Sequence, residues 1–158
     1  MGVSGCGKTT VASRLAERLR WDFVEADTFH PVANVEKMRA GIPLGDDDRW
    51  PWLDAIAAYL DAARTRRRPC IVACSALRRS YRERLAHGRG DVRFVYLRGS
   101  FETVAARMVG RTGHYMPASL LQSQYQTLEE PGEDENPVVL SIETPVDALV
   151  EKIVATLS

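Results

Sequence analysis

Apolar residues along the chain follow two spacings, one typical of helices and one typical of buried strands. Helical spacing recurs in the segments 11–19, 53–60, 101–108 and 146–157. Short apolar runs at 23–24, 70–74, 92–97 and 138–142 predict strands. Because these helices and strands alternate, the pattern predicts an α/β fold in which a parallel sheet is flanked by helices.

The composition fits one globular domain that spans residues 1–158. Of the 158 residues, 45% are hydrophobic and 27% are charged, so the chain can bury a core. The 21 basic residues equal the 21 acidic ones, and the chain therefore lacks the excess positive charge of a nucleic-acid scaffold. Its longest apolar stretches are far shorter than the ~20 residues that span a bilayer.

The cysteines and histidines indicate a compartment rather than a metal site. Cys70 and Cys74 lie in a predicted buried strand. This placement indicates that both are reduced structural thiols, which are typical of a cytosolic protein. The three histidines are scattered and lack the spacing of a zinc site. The chain opens on a glycine-rich segment rather than an apolar run, so we expect a cytoplasmic protein without a signal peptide.

Residues 2–9 match the phosphate-binding pattern G-x-x-x-x-G-K-[ST] in full. Its glycines let backbone N–H groups turn toward a polyphosphate, and the helix that begins near Lys8 aims its positive end at the same anion. We expect Lys8 to reach the β- and γ-phosphates and the Thr9 hydroxyl to bind Mg²⁺. The loop predicts a P-loop NTPase. The expected nucleotide-binding residues are Gly2, Ser4, Gly5, Cys6, Gly7, Lys8, Thr9 and Thr10.

A second candidate feature is the acidic segment Glu25-Ala26-Asp27, which ends a predicted strand. In a parallel sheet the carboxyl ends of the strands face the ligand crevice. Asp27 could hold Mg²⁺ through water or accept the proton of an acceptor hydroxyl. A helix N-cap ahead of Pro31 is the alternative for Asp27, and the two roles are compatible.

Further short motifs follow in order along the chain. They comprise 25–31, Asn34, 36–38, 41–44, 46–49, 51–53, 74–79, 81–82, 113–116 and 128–135. Together they resemble the gluconokinase family over nearly the whole chain, and they differ from shikimate and adenylate kinases, which share the fold. The resemblance implies ATP-dependent phosphorylation of D-gluconate at its 6-hydroxyl, with ATP and Mg²⁺. It also suggests a homodimer, while the charge balance and the short apolar stretches predict no nucleic-acid or membrane partner.

Gluconate is an anion rich in hydroxyl groups, so its site needs a cation and several polar side chains. The resemblance implies that Asp27 is the general base or a carboxylate linked to Mg²⁺, and that His30 and Arg49 bind substrate. Arg82, with Arg79 as an alternative, could bind the gluconate carboxylate bidentately. The alternatives are a surface or capping role for His30 and plain surface charge for the arginines.

The end of the helix at 101–108 resembles the start of the lid in small-molecule kinases. Arg107 and Arg111 are four residues apart, ahead of Gly113, and the lid would span about 111–118 and include His114. An arginine that closes over the γ-phosphate would stabilise transition-state charge and exclude water. An exposed helix end is the alternative.

One strand of the expected fold lacks a counterpart in the pattern, since only Met1 precedes the phosphate loop. The resemblance implies a sheet like that of nucleoside monophosphate kinases, ordered 2-3-1-4-5, with strand 1 between the runs 70–74 and 93–97. We expect these runs to lie two strand spacings apart, roughly 10 Å, with no ladder between them. We also expect the natural protein to begin upstream, with an apolar strand that ends at Met1.

Two other functions fit parts of the pattern. Another small-molecule kinase of the same fold, such as a shikimate-type kinase, would share the loop and differ in its acceptor. A non-catalytic nucleotide-binding module would need neither Asp27 nor the two lid arginines, so their presence favours an enzyme.

Overall fold

A computed structural model describes residues 1–109 and 118–157. The helices within these residues are α1 (Lys8–Leu19), α2 (Val32–Arg39), α3 (Asp46–Thr65), α4 (Arg79–Ala86), α5 (Phe101–Val109), α6 (Ala118–Thr127) and α7 (Val146–Thr156). The strands are β1 (Asp22–Glu25), β2 (Cys70–Ala73), β3 (Val95–Arg98) and β4 (Val138–Ser141). Short 3₁₀ turns cover Ala26–Phe29 and Glu133–Glu135. Each predicted strand and helix is confirmed, and α2, α4 and α6 are additional.

Helix α3 illustrates why the elements form where the pattern places them. Its first turn holds three aspartates, whose negative charge suits the positive end of the helix dipole, and Arg64 lies in its last turn. The face that it buries consists of Trp52, Leu53, Ile56 and Ala57. At α5, the Thr103 N–H donates to Ser100 Oγ at 3.1 Å, so Ser100 caps the start of the helix.

The strands form two parallel pairs. In one, β1 pairs with β2, with Asp22 opposite Cys70 and Glu25 opposite Ala73. In the other, β3 pairs with β4, with Val95 opposite Val138. Among the described residues no ladder joins β2 to β3, so the expectation that these two strands do not pair is confirmed.

Met1 lies between β2 and β3 and takes the position of a strand residue. Its amino group donates to the Val95 carbonyl at 2.5 Å, and its own carbonyl accepts from the Leu97 N–H at 3.1 Å. On the other side, the Gly2 N–H donates to the Ser75 carbonyl at 3.1 Å. A parallel ladder has this alternation of bonds, so Met1 is in register with Tyr96. The expected order 2-3-1-4-5 therefore holds. Its strands 2, 3, 4 and 5 are β1, β2, β3 and β4, and Met1 occupies the place of its strand 1, between β2 and β3.

Next to Met1, a cavity of about 1030 Å³ extends between the two strand pairs. Cys70–Ala73 of β2 line one side and residues 92–95 the other, and Val11 and Leu15 of α1 also face it. Burial lowers the pKa of the Met1 amino group from 8.0 to about 6. The cavity has the lining and the flanking strand edges that a central strand requires.

The core consists of two clusters. The larger one joins α1, α7 and the β3–β4 pair, and includes Val11, Leu15, Leu97, Ile142, Leu149 and Ile153. The smaller one lies beneath α3 and α4, and includes Ala26, Trp52, Leu53, Ile56, Cys74 and Leu85. No helix in residues 1–109 or 118–157 has the length and hydropathy needed to cross a membrane.

An apolar strand joined to Met1 is predicted to fill this cavity and stabilise the fold. We expect an N-terminal extension of about six β-branched residues to raise both Tm and activity. Each buried N–H or C=O group that gains a partner removes a penalty of roughly 1–3 kcal/mol. In a domain of this size, 1 kcal/mol corresponds to a Tm increase of about 2–4 °C. Calorimetry measures the shift.

The matched control is an extension of equal length made of glycine and serine, which can pair but buries no apolar side chain. Equal Tm values for the two extended proteins would contradict the assignment of the cavity to an apolar strand.

Candidate active site

The phosphate loop connects Met1 to α1, and its glycines have backbone angles that other residues rarely adopt. Gly7, directly before α1, has φ 99°. Gly5 has φ 80°, and a Cβ there would lie 2.8 Å from Met108 Cγ. The close approach of α5 therefore leaves no room for a side chain at Gly5.

Several backbone N–H groups of the loop have no acceptor within the described residues. The backbone N–H groups of Gly5, Gly7 and Lys8 have no hydrogen-bond partner in residues 1–109 and 118–157. The Lys8 ammonium donates to the loop's own carbonyls, at 3.1 Å to Gly2 and 3.0 Å to Val3. Free N–H groups, a lysine and the positive end of α1 together form a cradle for an anion.

The remaining predicted loop residues divide by exposure. Thr9 and Thr10 are exposed in the first turn of α1, whereas Cys6 is 2% exposed and packs in the larger core cluster. The Ser4 N–H donates to Oε1 of Gln124 on α6 at 2.6 Å. Sequence reasoning did not identify Gln124, because 120 residues separate it from Ser4.

Two carboxylates stand at the carboxyl end of β1. Asp27 lies in the following 3₁₀ turn, and its side chain is 90% exposed. Glu25 is half-buried, and its Oε1 atom is buried without a hydrogen-bond partner among the described residues. An orphaned carboxylate oxygen is costly to bury, which marks Glu25 as a candidate site residue. Sequence analysis placed Glu25 in the acidic segment without assigning it a role.

His30 lies beside Asp27 in a fixed position. Its Nε2 is 4.0 Å from Asp27 Oδ1, and its ring stacks on Trp52 with centroids 4.5 Å apart. Trp52 in turn donates from Nε1 to the Ala26 carbonyl at 2.7 Å. Burial lowers the pKa of His30, while Asp27 raises it and Arg49 lowers it further. The resulting neutral imidazole is held close to an exposed carboxylate.

The guanidinium of Arg82 is 1% exposed and is occupied by partners within the chain. It binds Glu135 through both nitrogens of one edge, at 2.6 and 2.9 Å. It also donates to the carbonyls of Ala76 at 3.0 Å and Leu77 at 3.3 Å. In this structure Arg82 therefore connects α4 to the turn at Glu133–Glu135, with its donors engaged.

The other two predicted arginines differ in their surroundings. Arg79 donates to Asp134 and, at 2.9 Å, to Glu83. Arg49 lies over the Tyr81 ring at 5.8 Å and has no ion pair with a carboxylate in the described residues. Of the three arginines, Arg49 alone keeps its charge available for a ligand.

The predicted lid residues fall mostly outside the described residues. Arg107, at the end of α5, donates to the Ile142 carbonyl at 2.6 Å. Arg111, His114 and the predicted lid segment up to residue 117 lie outside the described residues.

The geometry brings together an anion cradle, two carboxylates, a neutral histidine and one free guanidinium. Within residues 1–109 and 118–157, no three His, Cys, Asp or Glu side chains cluster as a metal cage. Mg²⁺ is typically held by one or two carboxylates together with substrate phosphates, so it needs no such cage. The arrangement suits transfer of a phosphoryl group from a nucleotide to a polar, anionic acceptor.

Comparison with known proteins gives consistent matches. A family model described as an AAA domain matches residues 1–131. The chain is 49% identical to the gluconokinase of Gluconobacter oxydans (strain 621H), over 98% of this chain and 86% of that protein. It is 42% identical to the thermoresistant gluconokinase of Escherichia coli (strain K12), over 95% and 86%.

Solved structures agree. A gluconokinase from Sinorhizobium meliloti 1021 superposes with a TM-score of 0.88 at 46% identity, over 98% of this chain and 87% of that one. A shikimate kinase from Acinetobacter baumannii superposes with a TM-score of 0.57 at 21% identity, over 99% and 89%. At that identity the second match shows a shared fold alone.

The buried pair of Arg82 and Glu135 generates a stability prediction. Glu135→Gln keeps the side-chain shape and leaves the buried guanidinium unpaired, so we expect the free energy of unfolding to fall by about 3 kcal/mol at pH 7. The Arg82 hydrogen bonds lower the pKa of Glu135, so the stabilisation is present above its ordinary pKa and is lost in acid. Urea titrations at pH 7 and in acid measure both effects.

The control is Asp54→Asn, which breaks an exposed ion pair with Arg84 at 2.7 Å and should change stability little. Equal losses for the two variants, or a Glu135→Gln loss that does not shrink in acid, would contradict the role given to the buried pair.

Proposed function

The chain belongs to the gluconokinase family, and from this we infer that it transfers the γ-phosphoryl group of ATP to the 6-hydroxyl of D-gluconate, giving 6-phospho-D-gluconate. The observation that carries this inference is 42–49% identity to gluconokinases over nearly the whole chain. The guanidinium of Arg49, which lies near His30 and has no ion-pair partner among the described residues, agrees with an acceptor that is itself an anion. No observation favours a shikimate-type acceptor or a non-catalytic module.

ATP would bind with its phosphates in the loop 2–9. The unpaired N–H groups of Gly5, Gly7 and Lys8 can donate to phosphate oxygens. The Lys8 ammonium, which donates to the Gly2 and Val3 carbonyls, would turn to the β- and γ-phosphates. Since the loop is already held by α5 and by Gln124, little of it has to be ordered when ATP binds.

The residues present fit Mg²⁺. Thr9 and Glu25, with Asp27 as a further carboxylate, would hold the ion, and the orphaned Glu25 Oε1 would then have a partner. When bound, Mg²⁺ would neutralise charge on the phosphates of the nucleotide.

Asp27 would act as the general base. Its exposed carboxylate stands at the carboxyl end of β1, where the acceptor must approach the nucleotide. The 6-hydroxyl oxygen bonds to the γ-phosphorus while the bond to the β,γ-bridging oxygen breaks, and the hydroxyl proton passes to Asp27. His30, next to Asp27, would face the same acceptor.

Arg49 would bind the gluconate carboxylate. It is near His30 and Tyr81 and lacks an ion-pair partner in the described part of the chain, whereas Arg79 and Arg82 are already paired. Arg107, Arg111 and His114 would supply the lid, and the whole chain would form one domain. The resemblance suggests a homodimer, and the pattern of cysteines suggests a cytoplasmic location.

The acceptor is tested by measuring ADP release with a panel of compounds. We expect gluconate to give the highest kcat/KM among gluconate, gluconolactone, other aldonates, shikimate and nucleoside monophosphates. Open-chain aldonates offer both a carboxylate for Arg49 and a primary hydroxyl at the far end of the molecule, unlike the lactone, shikimate and the nucleotides. Among the aldonates, the 42–49% identity to gluconokinases favours gluconate. Equal or better turnover of shikimate or of a nucleoside monophosphate would overturn the assignment.

The roles of Asp27 and Arg49 are predicted to separate in steady-state kinetics. Asp27→Asn should lower kcat by about 100-fold or more, because it removes the base, and should leave the KM for ATP within about twofold. Arg49→Gln should instead raise the KM for gluconate by about tenfold or more, because it removes a charge-assisted hydrogen bond. Each variant serves as the control for the other. An unchanged kcat in Asp27→Asn, or an unchanged KM for gluconate in Arg49→Gln, would refute the corresponding role.

A further inference from the structure

Asn34 on α2 is one of two buried polar or charged residues in the described part of the chain, at 4% exposure, and the other is Arg82. Its side-chain nitrogen Nδ2 lies 2.7 Å from the backbone oxygen of Asp48 and 3.3 Å from Nδ1 of His30. A buried amide needs partners for its polar atoms, and Asn34 finds them on two different elements. It therefore links α2 to α3 and to the histidine beside Asp27.

The Asp48 carbonyl determines which way the Asn34 amide faces. A carbonyl oxygen can only accept, so the atom that faces it must be the amide nitrogen and not the amide oxygen. Asp48 is itself fixed, because its carboxylate accepts from Lys37 at 2.6 Å and from the Gly45 N–H at 3.0 Å. The hydrogen bonds that fix Asp48 at the N-terminus of α3 thus determine the orientation of the Asn34 amide.

The amide orientation in turn determines the tautomer of His30. The second hydrogen of Asn34 Nδ2 points to His30 Nδ1, and because this nitrogen has to accept, it carries a lone pair. In a neutral ring the proton then resides on Nε2, the atom 4.0 Å from Asp27 Oδ1. Trp52, stacked on the ring, keeps the imidazole from rotating away.

We propose that Asn34 is a positioning residue of the phosphoryl transfer: it fixes His30 in the Nε2–H tautomer, so that the side facing the Asp27 carboxylate, 4.0 Å away, is a donor. The proposal rests on the proposed function of Asp27 as base. The charged groups that face the His30 ring are Asp27, from the turn after β1, and Arg49, from α3.

This arrangement has a consequence for catalysis. Asp27 is 90% exposed, and a carboxylate on a surface turn samples several rotamers. At 4.0 Å the Nε2–H is beyond hydrogen-bond distance of Asp27 Oδ1, and a small rotation of the exposed carboxylate would let it accept this N–H while its other oxygen faces the acceptor hydroxyl. The benefit is one of orientation, so it should affect the chemical step and not the affinity for ATP.

The first test reads the tautomer directly. Two-bond ¹H–¹⁵N spectra of the labelled protein at pH 7.5, assigned with a His30→Gln variant, distinguish a ring protonated at Nε2 from one protonated at Nδ1. We expect the Nε2–H form in the wild type and loss of this single form in Asn34→Leu, which has a similar volume and no donor. A wild-type ring protonated at Nδ1, or at both nitrogens, would overturn the proposal.

The second test reads the consequence for turnover. We expect Asn34→Leu to lower kcat about tenfold, the lower end of the effects seen when a residue that orients a functional side chain is removed. The KM for ATP should stay within about twofold of the wild type. Gln122→Leu, which removes an exposed amide on α6, is the control and should leave both constants unchanged. A kcat for Asn34→Leu within twofold of the wild type would overturn the role in catalysis.

Two further points keep the test decisive. If Asn34→Leu does not fold, Asn34→Ser replaces it, since serine is small and cannot reach His30. If gluconate is not the acceptor, the panel of acceptors shows this with the wild-type protein, whereas the tautomer of His30 is measured without substrate. Failure of the proposed function and failure of this inference are therefore observed in different experiments.

Discussion

Parallel pairing between β1 and β2 is the constraint on which the candidate site depends. It places Glu25 opposite Ala73, so both strands deliver their carboxyl ends to the same edge. Gly2 is bonded to Ser75, two residues beyond β2, which brings the phosphate loop to that edge as well. A cradle for phosphates and the carboxylates of an acceptor site thus meet because of backbone hydrogen bonds, before any side chain contributes.

Arg82 and Glu135 show how the side of the site away from the sheet is fixed. Two charges removed from water are costly unless their geometry and additional hydrogen bonds compensate, and here four donor contacts of Arg82 do so. The pair holds the start of α4 against the turn after residue 132. As a result, Arg82 stabilises the structure around the site. Of the three arginines predicted to bind the acceptor, Arg49 is the one without an ion-pair partner among the described residues.

The sequence was most informative where a feature depends on neighbouring residues. The predicted strands and helices and the phosphate loop follow from local spacing, and the structure has them. It was least informative about pairs that only tertiary packing creates. Glu135 lies 53 residues from Arg82, and Gln124 lies 120 residues from Ser4, so no periodicity connects them. Asn34 was visible as part of a motif, but its role requires the position of the Asp48 carbonyl, which only the folded chain supplies.

The bond between Ser4 and Gln124 has a consequence for how the protein is made. The phosphate loop is encoded within the first nine residues, yet its backbone is tied to Ser75, to Val95 and Leu97 through Met1, and to Gln124. Contacts of such high sequence separation form late, because a long segment of chain must be closed into a loop first. During synthesis the N-terminus therefore leaves the ribosome well before its last partner exists. A nascent chain that ends before Gln124 cannot form this bond to the loop, so the loop reaches the form described here only when α6 is in place.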